Sequence, residues 1–218
     1  MTWLVAATAA FLLTHFVSST PLRAALVARL GEWPYRGAYS AAAFVSLAAM
    51  IWAYAVAPRE ALWPGLRHLP SAVMPVAFIL IVCGYWRNPT MVGADRLLKS
   101  EEPARGMIRI TRHPLMWGIM LWSAAHVLAR GELASSVFFG GFFLLAALGT
   151  VSIDFRKRTN PDWARFAAVT SNVPFVAIAQ GRNRLDWREI GWKRPLLGIA
   201  VFLAFFFLHP WIFGARPY

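Results

Sequence analysis

Acidic side chains are scarce in this 218-residue chain, cysteine is all but absent, and no polar or low-complexity tract is long enough to serve as a linker. Ten Asp and Glu residues, few of them in apolar surroundings, leave no carboxylate cluster of the kind calcium requires. A lone cysteine, Cys83, excludes an intramolecular disulfide and a thiolate zinc cluster; inside an apolar run it reads as a small packing residue. Charge of either sign is also short. With 58% apolar residues against 15% charged ones, too little polar surface remains to cover a water-soluble globule, so the missing solvent is lipid.

What is present is a set of six stretches free of Asp, Glu, Lys and Arg, at 1–22, 37–58, 69–86, 114–129, 133–153 and 195–215. At about 1.5 Å of rise per residue, each meets or nearly meets the roughly 20 residues that span a hydrocarbon core. The expectation is an all-α, polytopic membrane bundle: a single domain over 1–218 with six transmembrane helices near 2–19, 37–57, 70–86, 114–129, 133–153 and 195–213. Arg130-Gly131-Glu132 reads as the tight turn of a helical hairpin. No Lys or Arg precedes the first stretch, so it is expected to remain as a helix and not to act as a cleaved signal.

Basic residues sort by loop. Three follow the first stretch, six the third and nine the fifth, against four elsewhere. The positive-inside bias puts both termini outside and the basic loops in the cytoplasm, the long one being an interfacial loop over 154–194. The net charge of +12 then points to anionic lipid head groups as partner and away from nucleic acid. Within that loop, Asn160 can cap a helix that opens with Pro161 and places Trp163 and Phe166 on one face, an amphipathic segment expected on the membrane surface. Tryptophans near run ends, Trp86, Trp187, Trp192 and Trp211 among them, suit interfacial anchoring.

Three of the five histidines, His15, His126 and His209, fall inside apolar runs, and His113 stands at the cytoplasmic mouth of the fourth. Ionisable groups in hydrocarbon are costly and mark functional candidates. Imidazoles in apolar surroundings suit haem iron, with Arg109 or Arg112 near the membrane surface as partners for the propionates. By depth along the helices, His15 pairs with His113; His126, about 18 Å up the fourth helix, pairs with His209, about 20 Å up the sixth.

The stretch from Gly106 through Arg109, Arg112-His113-Pro114 and Trp117 to Gly118 resembles the signature of the NnrU family of membrane proteins. The likeness continues through Leu121-Trp122-Ser123 to His126, through Asp154 with Arg156 to Arg158, and through Thr170 to Phe175 and Gly181-Arg182. It opens at His15, Ser18, Ser19 and Arg23, then Gly31-Glu32 and Tyr35-Arg36, and so covers almost the whole chain. The resemblance implies a multi-pass protein of the bacterial inner membrane linked to denitrification and to nitric oxide reductase. It also implies kinship with plant zeta-carotene isomerase, whose b-type haem acts in a redox-dependent double-bond isomerisation. The residues matching that enzyme's haem-associated histidines are His15 and His126, with His113 in its Arg-His-Pro motif. Ser123 stands where the plant enzyme has a Cys.

Arg112-His113-Pro114 and Gly118 also resemble the motif of membrane methyltransferases that use S-adenosylmethionine, although Met116 replaces the motif's Tyr and Asp154 alone stands for its acidic pair. Three classes are therefore open: a haem protein that senses or isomerises, a methyltransferase, and a non-catalytic assembly factor for nitric oxide reductase.

Overall fold

The computed structural model describes residues 1–217. Ten α-helices form among them: α1 (Thr2–Val17), α2 (Pro21–Leu30), α3 (Glu32–Ala55), α4 (Leu69–Gly84), α5 (Pro114–Arg130), α6 (Leu133–Lys157), α7 (Pro161–Val169), α8 (Val176–Ala179), α9 (Trp187–Ile190) and α10 (Lys193–Phe213). Two 3-10 turns, Asp95–Lys99 and Gly106–Arg109, lie in the segment between α4 and α5. The only extended pairing among these residues is one bridge from Ala61 to Glu132. In lipid such a fold is dictated by the backbone, whose N–H and C=O groups must find partners within the segment.

All six apolar stretches are helical, but six full spans are not what the helices provide. Three of them, α3, α6 and α10, are long and apolar enough to cross a membrane, and a fourth span exists if α1 and α2 are taken together. The first helix ends at Val17 and the chain turns by 73° into α2, which opens with Pro21 in its first turn. That proline cannot donate to the preceding turn, so the helix is interrupted there. Helices α4 and α5 have 16 and 17 residues, and α4 carries Pro75 inside it.

The basic segments gather at one end of the bundle. The hydroxyls of Ser19 and Ser152 meet at 2.7 Å, Lys157 Nζ donates to Pro89 O, and Arg165 donates to the carbonyls of Leu98 and Ser100. At the other end, Leu62 N and Trp63 N donate to Gly131 O, and Leu133 N donates to Glu60 O. Gly131 (φ +64) closes the α5–α6 hairpin there, and a Cβ at this position would lie 2.2 Å from Trp63 O.

Helix α7 corrects the expectation of a surface-lying element. Its start is as expected, with Asn160 Oδ1 accepting from Asp162 N at the cap. Its apolar face, however, turns into the protein: Trp163 and Phe166 are buried against Leu98, Ala104 and Ile108. The two 3-10 turns offer that face a protein surface, which removes more of it from water than a head-group layer would.

Two packing regions hold the bundle. Leu4 and Phe11 of α1 meet Met50 of α3 and Phe138 and Phe139 of α6. Helices α4, α5 and α10 instead approach through glycines, since lipid gives no hydrophobic drive for their association and close contact must supply it. A Cβ on Gly118 would come within 2.6 Å of Ile81 Cγ1 and 2.7 Å of Ala77 O, and one on Gly198 within 2.8 Å of Ile79 Cα. Apolar side chains such as Phe44, Trp52, Leu148 and Phe207 face outward.

Gly118→Ala is accordingly expected to lower the melting temperature of the detergent-solubilised protein, at a cost of about 1–3 kcal/mol for overpacking. Gly140→Ala, where a Cβ meets nothing within 4 Å, leaves it unchanged or slightly raised. Thermal melts of the two variants side by side check this.

Candidate functional site

Two groups of residues carry the polar chemistry. The first is built on the segment Ile110–Pro114, which runs into α5. Its backbone is stitched to the strip before α8: Arg112 N donates to Ser171 O, Phe175 N to Ile110 O, and the Thr111 hydroxyl to Asn172 O at 2.6 Å. Trp117 Nε1 donates to the same Asn172 carbonyl, and Asn172 Nδ2 donates to the hydroxyl of Thr150 on α6. The motif between these anchors is held from both sides.

His113, fully buried, precedes Pro114 at the mouth of α5 and places Nε2 2.7 Å from Asp154 Oδ1. Burial pushes its pKa down, against the hydrogen bond to Asp154, so the neutral ring is favoured. A neutral ring facing a carboxylate carries its proton on Nε2, which leaves Nδ1 as a bare lone pair, and that atom is buried with no partner. Arg112 shares Asp154 at 3.7 Å and donates to Thr170 O. Desolvation lowers its pKa and the Asp154 charge opposes it.

Arg109 is engaged one turn earlier. Its guanidinium forks onto Glu189, with Nε to Oε2 at 2.7 Å and an Nη to Oε1 at 2.9 Å, while the other Nη donates to Asn183 Oδ1. Gly106 N also donates to Glu189. The Arg109 hydrogen bond outweighs burial and, with the Gly106 amide, holds the Glu189 carboxyl at about 2, well below the usual 4.5. The sequence reading did not single out Glu189. Its one signal was scarcity, as one of ten acids in a strongly basic chain.

The second group lies within the bundle. His15 Nδ1 is 2.8 Å from Phe11 O, His126 Nδ1 is 2.7 Å from Trp122 O, and His209 Nδ1 is 2.7 Å from Ala215 O. A carbonyl only accepts, so each Nδ1 carries a proton, and in the neutral ring Nε2 keeps its lone pair. Rings join His15 to His126: His15 packs on Phe11 (centroids 4.3 Å apart), Phe11 on Phe142 (5.3 Å), Phe142 on Trp122 (5.4 Å), and Trp122 on His126 (5.2 Å). His126 also stacks on Phe139. His209, on α10, lies close to His126.

The site residues thus divide. His113, Arg112 and Arg109 belong to one network, where Asp154, Glu189, Asn183 and the Thr170 carbonyl take most of their donors and Arg112 Nε is left over. His15 and His126 stand apart along a row of aromatic rings, with His209 beside the latter.

A family model described as NnrU protein matches residues 3–217. The chain belongs to the NnrU family. This NnrU-family chain is 35% identical over 115 residues to a protein of Arabidopsis thaliana named 15-cis-zeta-carotene isomerase, chloroplastic, a stretch covering 50% of the chain and 31% of the plant protein. A protein of Zea mays bearing the same name is 32% identical over 110 residues, covering 48% of the chain and 30% of the relative. The NnrU-family chain thus matches less than a third of the length of these curated relatives. No solved structure matches.

Because the folded carboxyl of Glu189 stays ionised down to about 2, its contribution to stability is complete above its ordinary 4.5 and is lost as pH falls through 2. That contribution is on the order of 3 kcal/mol. Denaturation of the wild type and Glu189→Gln at several pH values checks it: the wild type should be the more stable near pH 6, with the gap closing towards pH 2.

Proposed function

We propose that this membrane protein binds a b-type haem through intramembrane imidazoles and acts as a redox-dependent isomerase on an extended, apolar, conjugated substrate held in the bilayer. The observation that carries the reading is the set of histidines whose Nδ1 atoms are tied to backbone carbonyls while Nε2 is left with a free lone pair. That is the orientation iron needs, since the outer hydrogen bond selects the tautomer and turns the ring. Apolar and aromatic neighbours, Phe11, Trp122, Phe139 and Phe142, suit a macrocycle. Each of these imidazoles, taken singly, therefore fits as a ligand to haem iron.

His15 and His126 would each offer one nitrogen to the iron, with His209 as the alternate; Phe11, Phe142 and Trp122 lie between the two, so bringing both onto one iron would require that row of rings to part. His113, a further alternate, meets the same criterion with its nitrogens exchanged, Nε2 tied to Asp154 and Nδ1 left with a free lone pair, but it lies outside the aromatic row. Bound there, the haem would supply reversible one-electron chemistry. The protein's own residues would orient it, exclude water through the aromatic row and keep the neighbouring ring nitrogens protonated at Nδ1. Arg109 and Arg112, at the basic end, are committed to Glu189, Asp154 and Thr170, so propionate binding would require them to exchange partners. The names of the two plant relatives support the isomerase class.

The same proposal places the protein in a bacterial cytoplasmic membrane with its basic end inward, and nitric oxide reductase remains its candidate redox partner. Methyl transfer with S-adenosylmethionine is less favoured by the geometry, because Arg112 and His113 direct polar groups to Asp154 and Thr170, and the two atoms left over, Arg112 Nε and His113 Nδ1, are buried.

Protein purified in detergent after expression with ample haem supply is expected to show a Soret band that shifts on reduction. His126→Ala and His15→Ala each weaken it several-fold, and His68→Ala, in the loop before α4, does not. A colourless protein, or a band indifferent to both His15 and His126, would sink the proposal.

A further inference from the structure

Beside the Arg109–Glu189 pair, where α4 ends and α10 begins, lies a cavity of about 210 Å³. Arg87, Arg105 and Arg194 line it, over an apolar floor that includes Cys83, Met107 and Ile190. Guanidinium groups that line one small cavity repel one another, and an anion between them relieves the repulsion. Within the protein the candidate anion is Glu189, but its carboxylate is already taken by Arg109, Gly106 N and, at 3.5 Å, Arg105. Arg87 and Arg194 have no ion pair among the described residues.

Two local features hold these cations where the chain's own energetics disfavour them. Arg87 sits at φ +48, a left-handed backbone that residues with a side chain adopt uncommonly. The turn is held by Asn88, whose Nδ2 donates to Gly84 O and whose Oδ1 accepts from Thr90 N and its hydroxyl. Arg194 stands in the first turn of α10, which has no acidic residue, so its charge adds to the positive end of the helix dipole. It is steadied by the Trp86 ring, 5.1 Å away. A strained arginine and a cation at the wrong helix end point to a missing negative partner.

We infer that this cavity receives the phosphate of an anionic phospholipid from the leaflet on the basic side of the bundle. Inorganic phosphate offers the same chemistry to the arginines. The surroundings favour the lipid: the cavity opens at the end of an apolar helix, Trp86 is half exposed, and exposed Leu196 and Leu197 follow Arg194 on α10, where an acyl chain can lie. Basic pockets between helices at this level bind acidic head groups.

The test titrates delipidated protein in neutral detergent with short-chain phosphatidylglycerol, phosphatidylcholine of the same chain length, and inorganic phosphate, reading the melting temperature. Phosphatidylglycerol is expected to raise it by several degrees and the other two to leave it nearly unchanged. Arg87→Gln combined with Arg194→Gln should raise the half-saturating lipid concentration at least tenfold, while Arg216→Gln does not. Arg87→Gly separates binding from folding: relieving the left-handed φ should keep or raise the lipid-free melting temperature while weakening the response to phosphatidylglycerol at least threefold. Equal shifts with both lipids, or an unchanged midpoint in Arg87→Gly and the double variant, overturn the site. A shift reproduced by inorganic phosphate overturns the lipid and assigns the cavity to a soluble anion.

Discussion

Hydrocarbon tolerates few unpaired polar groups, and in this protein that constraint sorts residues by sign, size and depth. Cations collect at one end of the bundle, where the turn after α1 meets the last turns of α6, and the segment after α4 meets Lys157 and Arg165. There the Arg109–Glu189 fork, with Gly106 N and Asn183, joins the segment before α5 to the segment before α10 across 80 residues of sequence. Inside the bundle, each of the three histidines of α1, α5 and α10 hands its Nδ1 proton to a backbone carbonyl. Where helices must come closest, glycine replaces any side chain.

Much of this was legible in the residues. Uncharged runs give helices because a backbone in lipid has few alternatives, and the Gly131 turn and the Asn160-Pro161 start are local chemistry that the structure repeats. The number of spans was not legible by counting runs, because Pro21 and the residues before it break the first helix, and the helix a run forms can be shorter than the run. Nor could pattern alone say where the apolar face of α7 points, since lipid and protein both accept Trp163 and Phe166.

At the candidate sites, sequence identified the histidines and arginines but not their partners. That His113 faces Asp154 and that Arg109 faces Glu189 are tertiary facts, invisible to spacing along the chain. The histidines of the apolar runs are the reverse case. Each bonds within its own helix or next to it, and what sequence could not supply was the row of rings that three different helices assemble between His15 and His126.

The unequal helix lengths bear on the surrounding membrane. Neighbours α4 and α5, of 16 and 17 residues, reach only about 25 Å, whereas α6, at 25 residues, reaches about 37 Å. If the short pair crosses the bilayer beside α6, a uniform thickness cannot match both, and either lipid thins beside the pair or α6 tilts. Helix α4 of the short pair ends at the cavity of Arg87 and Arg194, and compressed lipid there would bring head groups down to the level of those arginines.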